Sequence, residues 1–138
     1  MKDKEDSFHL GVKAVIFNRK GNLLVLQRNS EIWDIPGGRV QKKETLEAAL
    51  KREIYEEIGV KDVTLISPFT MALSNIRIPV QSGDVGLIFA IYQCHIKEEA
   101  SICLSEEHIR FEWVDSERAV ELLVNFPAEL IKKVIGKK

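Results

Sequence analysis

Hydrophobic positions in this chain fall into runs whose period changes along its length. After a polar lead, "LGVKAVIFN" and "NLLVLQR" are β-branched and apolar and flank Arg19-Lys20-Gly21, the pattern of two strands joined by a tight turn. This predicts a hairpin at the start. "SEIWDIPGG" then breaks the regularity with Pro36 and two glycines. From Leu46 to Ile58 the period becomes helical, with Thr45 placed to cap the N-terminus and Gly59 to end the helix in a left-handed turn. "VKDVTLIS", "DVGLIFAIYQCHI" and "IRFEWVD" read as strands. The middle one is apolar on both faces, which predicts a central strand in a sheet covered on both sides. "SERAVELLV" and "AELIKKVI" read as a short helix and a closing one. This order predicts an α/β (α+β) layered domain with a mixed central sheet, spanning 1–138 as one unit.

The helix departs from a clean amphipathic pattern. At about 100° per residue, Leu46, Leu50, Ile54 and Ile58 form one stripe that must pack on the sheet, with Ala49 at its edge. On the same wheel Glu57 falls between Leu46 and Leu50, Glu53 lies to one side, and Glu56 borders the stripe near Ala49. Carboxylates crowded on one flank repel each other, and partial burial adds a desolvation cost of several kcal/mol for each unpaired charge. Arg52 can lean toward Glu56 at i+4 but does not neutralise all three. A divalent cation with a preference for oxygen ligands, Mg²⁺ or Mn²⁺, would. A plainly solvated helix face has the same composition, so the pattern alone leaves both readings open.

Composition narrows the partners. With 138 residues, 45% hydrophobic and 30% charged, and a formal net charge of -1, the chain carries no excess charge to recruit a polyanion. Nucleic acid is not expected as a partner, and the basic end "IKKVIGKK" reads as a solvated helix terminus. No apolar run approaches the ~20 residues of a membrane span, so no membrane role is expected. "MKDKEDSF" has no apolar stretch behind it, which argues against a signal peptide and predicts a cytoplasmic chain. Cys94 and Cys103 have no metal-ligand spacing, and Cys94 reads as core.

The stretch "GGRVQKKETLEAALKREIYEEIGV" carries a more specific signal. From Gly38 through Glu44 to Arg52-Glu53-Ile54, Glu56-Glu57 and Gly59-Val60, it resembles the Nudix box, GX5EX7REUXEEXGU, at every defined position. "WDIPGG" before it and "LSEEHIRFEWVD" after it also resemble the flanks of that family. The chain is thus similar to Nudix hydrolases of the MutT-like kind. The resemblance implies an α/β/α sandwich that hydrolyses a nucleoside diphosphate linked to another moiety, with Mg²⁺ or Mn²⁺ as cofactor and a small-molecule nucleotide as substrate.

Residue by residue, the resemblance makes Glu53, Glu56 and Glu57 metal ligands and, with Arg52, the catalytic set. Gly37 would add its carbonyl to the metal, and a later loop one carboxylate, Glu107 first and Glu106 next. Arg52 and Glu44 take a mainly structural part. Gly37 and Gly38 suit a backbone that turns sharply and comes close to metal or phosphate. Arg28 stands where MutT-like relatives place a phosphate-contacting arginine; Asn125 or Glu129 would read a base edge, and Trp33 or Phe8 either stacks on a base or packs. Ser74-Asn75 and Arg77-Ile78 replace the proline of ADP-ribose-cleaving relatives and the tyrosine of dinucleoside-polyphosphate cleavers. Neither the NADH-type element nor the coenzyme A signature is present. A nucleoside triphosphate, plain or modified, is left as the leading substrate. A nucleotide sugar, a capped RNA end and a non-catalytic nucleotide-binding module are the alternatives, and monomer and homodimer both remain open.

Overall fold

A computed structural model describes residues 5–136, apart from the side chain of Ile66. The charged start at 1–4 and the Lys137-Lys138 end lie outside them. The larger sheet is built on β1 (Phe8–Ile16), which pairs antiparallel with β4 (Gly37–Arg39) and parallel with β7 (Gly83–Ile96). β5 (Val63–Leu73) follows antiparallel on the other side of β7, giving the order β4-β1-β7-β5, and β6 (Ile78–Val80) pairs with the start of β7. A second, antiparallel sheet has the order β3-β2-β8, from β3 (Trp33–Asp34), β2 (Leu23–Arg28) and β8 (His108–Val114). The helices are α1 (Leu46–Ile58), α2 (Ser116–Leu122) and α3 (Ala128–Ile135). None of them is long and apolar enough to cross a membrane.

β7 is central and two-faced, as its sequence predicts. Leu87, Phe89 and Ile91 point into a core shared with α2 and α3 through Ala119, Phe126, Ile131 and Val134. The alternate residues Ala90, Tyr92, Cys94 and Ile96 point into a second core, under α1, with Leu50, Ile54 and Ile58. Two cores on opposite faces of the sheets make the α/β/α sandwich. Burial there pushes the Cys94 thiol up to about 12, so it stays a neutral packing group.

The predicted hairpin does not form as a ladder. The turn is present: Gly21 has φ 83°, its N–H donates to Asn18 O at 2.9 Å, and Phe17 meets Leu23 in a single bridge. Beyond that bridge β1 and β2 enter different sheets, because β4 and β7 already occupy both edges of β1. β5 runs past the expected end at Ser67, crossing Pro68 by register shifts on either side. Among the described residues β5 pairs only with β7, and at such an edge a residue without an N–H is tolerated. The short strands β3 and β4 fall at the segment that reads as irregular, and β6 falls where the sequence pattern predicts no element.

α1 has the predicted bounds. Thr45 Oγ1 accepts from Ala48 N at 3.1 Å, and Gly59, with φ 71°, returns its N–H to Tyr55 O. Ile54, fully buried in the core beneath α1, sets the depth at which the helix sits. Ile54→Ala is expected to lower the unfolding free energy by about 2–5 kcal/mol in urea denaturation, with no change in helix content at neutral pH.

Candidate functional site

β4 lays Gly37 and Gly38 along the flank of α1 where the carboxylates stand. Gly37 N donates to Glu57 Oε1 at 2.7 Å inside the protein, and Glu57 is only 6% exposed. Gly37 has φ 152°, and a Cβ there would run into the Val12 carbonyl oxygen. A Cβ on Gly38 would fall on the Glu53 carboxylate. Close approach of backbone therefore requires glycine at position 37, while at position 38 a side chain could enter only by pushing the Glu53 carboxylate aside.

Arg52 organises the rest of the flank. Its Nε donates to Glu44 Oε2 at 2.6 Å and its Nη2 to Glu44 Oε1 at 3.0 Å and to Arg39 O at 3.2 Å. Its Nη1 donates to Glu53 Oε1 at 2.8 Å and to Glu56 Oε2 at 3.2 Å. The i+4 contact to Glu56 thus exists, but the shorter bonds go to Glu44 and Glu53. The hydrogen bond to Glu44 raises the guanidinium far above its usual range, and the same bond lowers the Glu44 carboxyl. Glu44 Oε1 also accepts from Gln41 N at 2.8 Å, which ties the loop before α1 to the helix.

Glu57 is outside the reach of Arg52. Burial pushes its carboxyl up to about 7, with the charges of Glu53 and Asp34 adding, while the Gly37 amide and Lys13 oppose. His108 Nε2 lies 3.7 Å from Glu57 Oε2. Burial, followed by the charge of Arg28, lowers the imidazole below its usual value, so this contact is not an ion pair at neutral pH. Ser105 Oγ, at 3.1 Å from Nδ1, fixes the other side of the ring.

Next to these carboxylates opens a cleft of about 330 Å³. Lys13, Arg28 and Arg39 supply cations, Ile32, Ile78, Leu87 and Phe89 apolar walls, and Asn125 an amide. Lys13 is 4% exposed; its Nζ sits 2.9 Å from Asp34 Oδ2 and 5.1 Å from the Phe89 ring centroid. Arg28 Nη2 reaches the same Asp34 oxygen at 3.5 Å.

The structure thus gathers Glu53, Glu56, Glu57, Arg52, Gly37 and Gly38 at one edge of a cleft that Arg28 and Asn125 also line. Glu129 is exposed in the first turn of α3 and is not part of the lining. Glu107 is also exposed. Its segment is nonetheless anchored on the end of α1, since Ser105 N donates to Glu57 O at 3.1 Å and Cys103 N to Ile58 O at 2.8 Å. Trp33 is core under the Arg110 guanidinium, and Phe8 is exposed beside Gly86. Among the described residues no three Asp, Glu, His or Cys side chains stand close enough to hold an ion as they are, because Arg52 draws Glu53 and Glu56 to itself and Glu57 turns to an amide. The donor set itself is all hard oxygen and in excess of its local cations, which suits a divalent cation.

Lys13, Asp34 and His108 were not anticipated. A lone lysine inside "GVKAVIF" is a readable signal, since a buried ammonium needs a carboxylate partner and "WDIPGG" offers one. His108 had none, because only folding brings it to Glu57.

Comparisons with known proteins identify the family and the fold. The NUDIX domain model matches residues 7–134. An RNA pyrophosphohydrolase of Coxiella burnetii is 32% identical over 144 residues, covering 93% of this chain and 63% of that protein. The nucleoside triphosphatase NudI of Salmonella typhimurium is 32% identical over 90 residues, covering 62% of each. The chain therefore spans less than two thirds of the length of these relatives. A solved MutT protein from Methanosarcina mazei Go1 superimposes with a TM-score of 0.69 at 26% identity, over 98% of this chain and 97% of that one. The E. coli dihydroneopterin triphosphate pyrophosphohydrolase has the same fold, with a TM-score of 0.76 at 21% identity over 96% and 99% of the two chains.

The glycine pair and Glu57 generate separable tests. Gly37→Ala is expected to cost at least about 2 kcal/mol in thermal unfolding, from backbone strain plus a clash with a carbonyl. Gly38→Ala meets only the movable end of Glu53 and should cost less than about 1 kcal/mol while displacing that carboxylate. A carboxyl whose folded value of about 7 lies above its ordinary 4.5 binds more protons folded than unfolded, so its contribution falls as pH rises between the two and levels off above. In EDTA, the stability of Glu57→Gln relative to the parent should therefore climb by on the order of 2–3 kcal/mol across that window. Melting series at stepped pH for both proteins measure the difference directly.

Proposed function

The chain belongs to the NUDIX domain family, and we propose that it hydrolyses a pyrophosphate bond in a nucleoside 5′-polyphosphate, converting a nucleoside triphosphate to the monophosphate and pyrophosphate. The observation that carries this reading is the excess of carboxylates around buried Glu57, set directly beside a cleft with three cations and apolar walls. Such a cleft matches an anionic polyphosphate at one end and a flat, largely apolar base at the other. The matches to a nucleoside triphosphatase and an RNA pyrophosphohydrolase support the reaction class. The RNA pyrophosphohydrolase match, which covers more of this chain, supports a second reading in which the polyphosphate is the 5′ end of an RNA.

In the proposed site Glu53, Glu56 and Glu57 would hold Mg²⁺ or Mn²⁺, joined by the Gly37 carbonyl and by Glu107 from the following loop. Bound there, such a cation would supply charge to neutralise the non-bridging phosphate oxygens and acidity to a nearby water. Arg52 fixes the positions of Glu53 and Glu56 through Glu44, and so acts on the reaction through other groups. Lys13 and Arg28 face the cleft with Asp34 between them, placed to receive phosphate charge. Asn125, on the cleft wall, is placed to bond a base edge. Glu129 has no part in this arrangement.

Turnover of a panel of nucleoside triphosphates, nucleotide sugars, and triphosphorylated and capped RNA oligonucleotides with Mg²⁺ or Mn²⁺ tests the reading by its products. A nucleoside monophosphate and pyrophosphate are expected; orthophosphate as the main product from a triphosphate would overturn it. Glu56→Gln and Glu57→Gln should each lower kcat at least ~100-fold with little change in KM, and Glu107→Gln should cost less. Millimolar Mg²⁺ should raise the parent's melting temperature by mass action and leave that of Glu57→Gln nearly unchanged, a readout independent of turnover.

A further inference from the structure

We propose that Arg77 is a positioning residue for the nucleoside end of the substrate: by bridging Asp6 and Asp84 on one face of the larger sheet, it holds Ile76 and Ile78 at the cleft on the other. This rests on the pyrophosphate hydrolysis proposed for the cleft and adds what shapes its apolar end. Arg77 forks between two carboxylates from separate segments. Its Nη1 and Nη2 donate to Asp6 Oδ2 and Oδ1 at 2.6 and 3.1 Å, and its Nε and Nη2 donate to Asp84 Oδ1 at 2.9 and 2.7 Å. Asp6 precedes β1 and Asp84 stands at the start of β7, so one guanidinium ties together three stretches of chain. Ser7 O accepts from Gly86 N at 2.8 Å, and the Phe8 ring lies over Gly86, where Arg77 Nη1 also arrives.

The chain neighbours of Arg77 serve the opposite face. Ile76 and Ile78 line the cleft with Leu87 and Phe89, whereas Arg77 is not part of the lining. Side chains alternate along β7, so Gly86, against which Arg77 lies, faces away from Leu87. Ile76 is 43% exposed, and Ile32, which lines the same cleft from the β2–β3 loop, is 41% exposed. Two large apolar side chains from separate loops thus stand in water at the opening, and a flat base entering between them would cover both. Little else fixes the wall that carries Ile76. β6 is three residues long, includes Pro79, which has no N–H to donate, and among the described residues pairs only with β7. The bond from Ile76 N to Ser74 Oγ at 3.1 Å lies within the turn itself. An exposed ion pair alone is weak, but a guanidinium forked onto two carboxylates fixes direction as well as charge.

Kinetics of the full chain with Mg²⁺ and the nucleoside triphosphate it turns over fastest test this. Arg77→Ala should raise KM at least about threefold and leave kcat within about twofold, because what is lost is binding remote from the reacting phosphorus. Inorganic tripolyphosphate, which has no nucleoside, should compete equally well against parent and variant. Asp6→Asn combined with Asp84→Asn should raise KM as Arg77→Ala does, and adding Arg77→Ala to that pair should raise it no further. Hydrogen exchange over 74–80 should quicken in Arg77→Ala while exchange in α1 stays as in the parent, which separates a loosened wall from a misfolded chain. An unchanged KM in Arg77→Ala overturns the proposal, and so does weaker competition by tripolyphosphate or unchanged exchange over 74–80. A KM raised by Arg77→Ala but not by the paired aspartate variant would make Arg77 a direct substrate contact and overturn it equally. A parent that turns over no nucleotide overturns the proposed hydrolysis and this inference with it; an active parent with unaffected variants overturns this inference alone.

Discussion

The hydrogen bond from the Gly37 amide to buried Glu57 is the contact around which the site is arranged. It fixes a carboxylate in a place where burial opposes charge, and the proton affinity of Glu57 rises accordingly. For that bond to form, β4 must pass so close to β1 that Gly37 can carry no side chain, and so close to α1 that one on Gly38 would displace the Glu53 carboxylate. The helix must in turn pack deeply enough for Leu50, Ile54 and Ile58 to be fully buried beneath it. Position of the site and depth of the core are thus one constraint.

Arg52 manages the remaining charge. One guanidinium joins the loop acid Glu44, the backbone of Arg39 and the helix acids Glu53 and Glu56. Bidentate pairing with Glu44 gives it a fixed geometry, which a lysine could not supply. Glu57 is left out of this network and faces neutral His108 instead. A flank with most of its charge compensated and one carboxylate uncompensated is suited to receive a cation, and a site of this kind is held at a cost in stability.

The two sheets divide the work. β7 buries both faces and separates the α1 core from the α2–α3 core. The candidate site lies where β1 and β4 of the larger sheet meet β2 and β3 of the smaller, through Lys13 of β1, Arg28 of β2 and Asp34 of β3. β8 carries His108 at one end, toward the site, and an open edge along the rest.

Much of this was legible in the chain before folding. Local rules act over a few residues, so the bounds of α1, its Thr45 and Gly59 caps, the two-faced character of β7 and the conflict of Glu53 and Glu57 with the apolar stripe could all be read from spacing. Pairing could not. β1 and β2 have the pattern of a hairpin and part into separate sheets because β4 and β7 compete for the edges of β1, a choice made between segments far apart in sequence. The same holds at the site. Residue types named the carboxylates, but only packing decided that Glu57 would be buried against an amide while Glu56 stayed half in water, that Lys13 would find Asp34, and that Glu129 would stand apart. Spacing fixes which groups share a face; the energy of a charge depends on what lies across from it, and that neighbour is supplied by the tertiary fold.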